Sequence, residues 1–283
     1  MKIKSYKCYN TKAEIEEDLK SLIQNQLENM NNCLKYLIEF KAEAEKDYVK
    51  NLIKRLQDEI KTIENEEGYF DFAIKVKFEF LDKYPELRKI TMKYLLSHLN
   101  PMKKSPKDAK KYIIFGLNRA KAGERISYHR VKTLTEMFGK EEGLELYTKI
   151  LTRIVQDMHK KNPPNPERTV AISDERSIKW WCEIGIGNFT SCLFDENKAL
   201  YRFDKCFTHE ALKDFNDPDV AYYASCYIGD IPVFNEGRII KMRRTQTLHH
   251  RDFCDELYWD SRHYDNPEQP SLDFTRKMGR EED

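Results

Sequence analysis

The chain lacks any run of apolar residues near the 18 needed to cross a bilayer, and its mean hydropathy is −0.77, which excludes a membrane span. The opening Met1-Lys2-Ile3-Lys4-Ser5-Tyr6 has no apolar stretch, so no secretory leader is expected. Cysteine is present at seven positions, an odd number with no close pairs and no Cys-x-x-Cys. A disulfide framework is therefore not expected, and free thiols in a cytoplasmic protein are. The formal net charge is only +1, which gives no electrostatic footprint for nucleic acid. Internal repeats and low-complexity tracts are absent as well.

What remains is a chain of 283 residues, 40% hydrophobic, 34% charged and 12% aromatic. The aromatic content rules out a disordered chain, and the length suffices for a buried core without staples. The aromatic and thiol content is lopsided. All three Trp (Trp180, Trp181 and Trp259) and five of the seven Cys follow residue 179. Chemistry is expected in that C-terminal part.

Hydrophobic periodicity gives an α+β protein: a helical N-terminal half, then a mixed domain with an antiparallel sheet and short helices. Residues 11–66 read as helix, because Ile15, Leu19, Ile23, Leu27, Met30, Leu34 and Ile38 recur at steps of three and four. Ile53, Leu56, Ile60 and Ile63 make a second stripe. One long helix and a helical hairpin both fit. The stripes serve core packing or a homo-oligomer formed through these helices. Residues 67–100 continue as helix, ended by Asn100-Pro101. Residues 103–108 form a loop, and 107–117 and 129–160 read as helix. Three prolines among Pro163, Pro164 and Pro166 cannot be helix or central strand and mark a junction.

Beyond the junction, alternation predicts a strand over 181–193, then a short helix over 207–215. A helix over 218–229 is capped by Asp217 and opened by Pro218. Strands over 238–248 and 253–260 follow, joined at His249–Asp252. The expected divisions are a helical region 1–105, an α+β domain 106–265 and a loosely held polar tail 266–283.

Three constellations could carry chemistry. Cys226 and Asp230 stand four apart, a spacing that stacks them on one helix face. A thiol is nucleophilic only as thiolate, and a neighbouring carboxylate disfavours that form. Asp230 thus makes better sense as a proton acceptor from water or as a hydrogen-bond partner for a cationic substrate, while spacing alone favours a small buried thiol ahead of a loop aspartate. The second constellation gathers His249, His250, Asp252, Cys254 and Asp255 around one turn. Imidazole and thiolate are proton carriers and metal ligands. Zinc would need dispersed ligands there, and the sequence requires no cofactor. In the third, Arg243 and Arg244, adjacent strand residues face opposite ways, so only one enters a given pocket. An inward guanidinium suits a substrate carboxylate, and an outward one a surface ion pair.

Taken in order, Cys192, Cys226-x-x-x-Asp230, Arg244-Thr245-x-Thr247-Leu248-x-His250-x-x-x-Cys254-Asp255-x-Leu257 resembles the L-2-amino-thiazoline-4-carboxylic acid hydrolase family. The resemblance covers roughly residues 130–260 and leaves 1–105 unaccounted for. It departs at His249-His250, where a glycine turn is common in the family. It implies hydrolysis at the electrophilic carbon of a cyclic amidine or thiazoline, on a small carboxylate-bearing substrate. Cys226, Asp230, His250 and Cys254 are the implied catalytic candidates, and Cys192, Arg244 and Thr245 the substrate-binding ones. Cys192, Cys226, Asp230, His250 and Cys254 are expected to share one pocket. Two other classes fit the same residues: a non-catalytic small-molecule or metal-binding module, and a cyclase or lyase of a natural-product pathway.

Overall fold

A computed structural model describes residues 1–63, 74–163 and 165–280. The fold is α+β. In chain order the elements are β1 (Lys2–Lys7), β2 (Glu14–Glu17), α1 (Leu19–Lys41), α2 (Glu45–Ile60), α3 (Pro85–Leu99), β3 (Lys103–Lys104), β4 (Tyr112–Phe115), α4 (Gly116–Phe138) and α5 (Lys140–Lys161). There follow α6 (Val170–Ile184), β5 (Gly187–Asp195), β6 (Lys198–Cys206), α7 (Phe207–Leu212), α8 (Pro218–Ser225), β7 (Ile240–Arg243), β8 (Cys254–Asp260) and α9 (Leu272–Lys277). No helix among the described residues is long and apolar enough to cross a membrane.

The chain divides into two compact units, one of residues 1–13, 155–222 and 226–283, the other of 14–154 with 223–225. The boundary expected at 105 is thus corrected. Strand β1 belongs to the sheet-bearing unit because it pairs with β5, and α4 belongs with the helices before it.

In the helical unit, Asp18 caps α1 by accepting the Ser21 N–H at 3.1 Å. Leu19, Ile23, Leu27, Met30, Leu34 and Leu37 are all fully buried, so the predicted stripe is consumed within the unit. A 3-10 turn at Ala42–Ala44 separates α1 from α2, which favours two helices over one. Residues 64–66 of the expected helix, and 67–73 of the next, lie outside the described residues. Ile15 is in a strand, not a helix: β2, β4 and β3 form a small antiparallel sheet. Residues 112–115 are likewise strand where helix was expected, because Tyr112-Ile113-Ile114-Phe115 is too short and too β-prone to hold a helical turn. The expected helix over 129–160 is two helices, broken by Gly139 at φ +84°, a conformation side chains resist.

Helices α2, α3 and α4 bury a polar cluster on Glu59. Arg125 Nε donates to its Oε1 at 2.7 Å and the Tyr94 hydroxyl to its Oε2 at 3.0 Å. His98 lies 3.1 Å away and His129 is hydrogen-bonded to it. Burial pushes the Glu59 carboxyl up, but the His129 and His98 bonds, with the His129 and Arg125 charges, more than offset it. The group sits well below the usual carboxylate range.

The other unit is built on a five-stranded antiparallel sheet of order β1-β5-β6-β8-β7. Helix α6 is capped by Thr169 and stopped by Gly185 at φ +73°, so residues 181–184 are its last turn and the strand begins only at Gly187. The register puts Phe189, Tyr201, Phe203 and Cys254 on one face, where Trp181 of α6 stacks edge-on against the first three rings. The other face carries Cys192, Leu200, Leu257 and Trp259, covered by Phe274 and Met278. The tail is therefore not loose. Buried Arg202 donates through Nη1 to the carbonyls of Thr275, Arg276 and Met278 at 2.8–3.1 Å and ties α9 down.

Free thiols hold for five cysteines and are corrected for two. Cys8 and Cys182 are disulfide-bonded, with Cα atoms 4.9 Å apart. They stand 174 positions apart in sequence and meet because β1 lies along β5, just beyond the end of α6.

Candidate functional site

Strand β7 is only four residues long, so the expected strand over 238–248 gives way to a ten-residue connection, 244–253. Asp255 shapes that connection. Its side chain, fully buried, accepts the Thr245 and Gln246 N–H groups at 2.8 and 2.9 Å and Gln269 Nε2 at 3.0 Å. The Thr245 hydroxyl also donates to it. Thr245 and Asp255 are thus committed to holding the loop, and the substrate-binding role expected of Thr245 is corrected accordingly.

The alternation of β7 continues one residue further and turns the two arginines to opposite faces, but both reach the wall of one cavity at this edge of the sheet, which corrects the expectation that only one would. Arg243 turns to the Trp259 face, its guanidinium 5.4 Å from that ring, and bonds Asn266. Arg244 turns to the opposite face, with its side chain only 8% exposed. There Nη1 donates to the Cys226 carbonyl at 2.9 Å and Nη2 to Glu256 Oε1 at 2.8 Å, and Asp230 lies 3.6 Å away. Burial works against this charge, but Glu256, Cys226, Cys254 and Asp230 together hold the guanidinium protonated, above its ordinary value. Arg244 is an internal cation engaged by Glu256 and the Cys226 carbonyl.

Helix α8 ends at Ser225. Asp217 caps it and Cys226 closes it, followed by a 3-10 turn, Tyr227–Gly229, that delivers Asp230. The Tyr222 hydroxyl donates to Asp230 Oδ2 at 2.8 Å. The other oxygen, Oδ1, is buried without a partner, as is Arg244 Nε. Burial pushes the Asp230 carboxyl up; Arg244 and Tyr222 pull it back, Glu256 and Asp255 add to the rise, and the net is upward. Asp230 and Arg244 both line a cavity of about 410 Å³, whose wall also carries Lys241 and Arg243.

His250 sits at the margin. It is 37% exposed, lies 2.9 Å from Asp219 and meets the Tyr222 ring edge-on at 5.5 Å. His249 is more interior, and burial, with the charges of His209, His250 and Arg244, lowers it to about 3. Cys254 packs into the aromatic layer of the sheet. Burial, reinforced by Glu256, raises its thiol far above the ordinary value, so it stays protonated and is no nucleophile. Cys192 occupies the opposite face of the sheet, against Leu200 and Leu257. The single pocket expected for all five candidates is corrected on that ground. The fold brings Cys226, Asp230 and Arg244 together, sets Cys254 and His250 around them, and excludes Cys192.

Sequence reasoning passed over Glu256, Tyr222 and Tyr258. The Tyr258 hydroxyl donates to Glu256 Oε2 at 2.8 Å, which extends the network along β8. The period of two in Cys254-x-Glu256-x-Tyr258 was the available signal. Among the described residues, no group of three or more His, Cys, Asp or Glu side chains is placed to hold a metal ion. No protein-family model, no curated protein and no solved structure matches the chain.

Proposed function

We propose that this protein is a hydrolase acting on a non-peptide carbon–nitrogen bond of a small carboxylate-bearing molecule of the cyclic amidine or thiazoline type. The observation that carries the reading is Asp230. It is a buried carboxyl raised above its ordinary range, with one oxygen oriented by Tyr222 and the other unpaired, on the wall of a cavity. A carboxyl so placed can take a proton and return it at the cavity wall.

In this mechanism Asp230 takes a proton from a water as its oxygen adds to the amidine carbon. The tetrahedral species then breaks its bond to the leaving nitrogen or sulfur, which receives the proton back from Asp230. Tyr222 positions the carboxyl, and Arg244 keeps its ionised form tolerable between turnovers. Lys241 forms no ion pair among the described residues and takes over the carboxylate-anchoring role expected of Arg244. The sequence resemblance supports the reaction type, and Cys226, whose carbonyl meets Arg244, is the alternative nucleophile.

The test is turnover of L-2-amino-thiazoline-4-carboxylate, followed by loss of the substrate, with thiol release reporting expulsion of sulfur and amine or ammonia release expulsion of nitrogen. Asp230→Asn should lower the rate by about 100-fold or more with melting preserved. Wild-type protein that leaves this compound and related cyclic amidine carboxylates intact contradicts the proposal, as does wild-type turnover in Asp230→Asn. Loss in Cys226→Ala with Asp230→Asn active would move the chemistry to the thiol.

A further inference from the structure

A cavity of about 670 Å³ shares only Tyr258 with the Asp230–Arg244–Glu256 network, and the proposed reaction does not use it. It lies within the sheet-bearing unit, on the face that carries Tyr201 and Tyr258, under Trp181 of α6. These three rings, set edge to face at 78° and 83°, give it an aromatic wall. Its cationic side is unusual. Arg238 is half-buried on the Phe234 ring, 4.2 Å from guanidinium to centroid, and its one hydrogen bond is a long one from Nε to the Ile240 carbonyl, 3.4 Å. No carboxylate pairs with it among the described residues. A second guanidinium, Arg168, is close enough to add to the burial that already lowers Arg238. Arg168 itself is exposed and donates through Nε to Ser173 Oγ at 2.7 Å, so the half-buried Arg238 is the cation that an anion in the cavity would relieve.

The rest of the lining agrees. Asp174 accepts the Tyr201 hydroxyl and pairs with neither guanidinium among the described residues. Glu236 stands on the exposed rim. His159 Nε2 is buried without a hydrogen-bond partner at the same cavity, a polar atom awaiting one. Apolar walls with a few converging polar groups are the usual make-up of a small-molecule site.

We infer that this cavity is a binding site for a small planar carboxylate, its ring against Trp181, Tyr201 and Tyr258 and its anion on Arg238. The guanidinium fork meets a carboxylate in two-pronged fashion, and the stacked Phe234 fixes the plane of that fork.

Calorimetric titration of the whole chain with benzoate and indole-3-acetate, against benzamide and tryptamine, tests this. Both acids should bind, each about 10-fold or more tighter than its neutral or cationic counterpart. Arg238→Ala should erase that advantage, Arg238→Lys should restore part of it, and Arg243→Ala on the other face should leave it intact. Asp230→Asn should also leave it intact, so failure here and failure of the proposed hydrolysis are distinguishable. Equal affinity for acid and amide, preference for tryptamine, undiminished acid binding in a folded Arg238→Ala, or no binding of any probe would each overturn the inference.

Discussion

Each unit of this protein buries an acid among cations and hydroxyls, and the two acids are tuned in opposite directions. Glu59, in the helical unit, has Arg125, Tyr94, His98 and His129 turned on its two oxygens. Its ionised form is stabilised beyond what burial takes away. Asp230, in the sheet-bearing unit, has one hydroxyl on one oxygen and nothing on the other, and its guanidinium neighbour is nearer to Glu256 than to itself. Burial wins there. A buried acid whose oxygens are all engaged is a tie between helices. One with an oxygen left over has a free acceptor, which the proposed hydrolysis would use.

The contrast breaks most visibly by mutation. Glu59→Gln leaves Arg125 and its neighbours without their counter-charge, and should cost about 3–5 kcal/mol in chemical denaturation. Loss of the Cys8–Cys182 link follows. Cys8→Ser should cost about 2–4 kcal/mol under non-reducing conditions, and denatured wild-type protein should titrate as five thiols before reduction and seven after. The pH dependence separates the two acids by sign. Glu59 is depressed from 4.5 and His98 from 6.5, so each binds its proton more tightly in the unfolded chain. Their contributions are full above those values and are lost as pH falls below them, His98 first. Asp230, raised from 3.8, contributes stability at low pH that is lost as pH rises through its folded value. The smallest effect is therefore a gain: Asp230→Asn should stabilise the protein by about 0.5–2 kcal/mol at pH 7, read by thermal melt.

Local patterns in the sequence reached the fold class, the α1 stripe, the Asp217 cap and strand β8, because each rests on neighbours three or four residues away. Cys226, Asp230 and Arg244 were legible as chemistry-bearing residues, and their meeting follows from the outward and inward turns of Arg243 and Arg244. What was not legible needed pairing between distant segments. Strand β1 at residues 2–7 joins β5 across more than half the chain, and only that pairing brings Cys8 to Cys182. The commitment of Arg244 to Glu256, and of Thr245 to Asp255, depends on the register of β7 on β8, which no spacing reveals. Cys192 was misplaced for the same reason: whether it shares a face with Cys254 is settled by how β6 lies between their two strands.

The most direct test of the account is a side-chain carboxyl NMR titration that follows Glu59 and Asp230 in the same folded sample. Asp230 should titrate above its ordinary 3.8 and Glu59 below its ordinary 4.5, with Asp230 the more basic of the two. Asp230 titrating below 3.8, or the two acids in reversed order, would contradict it.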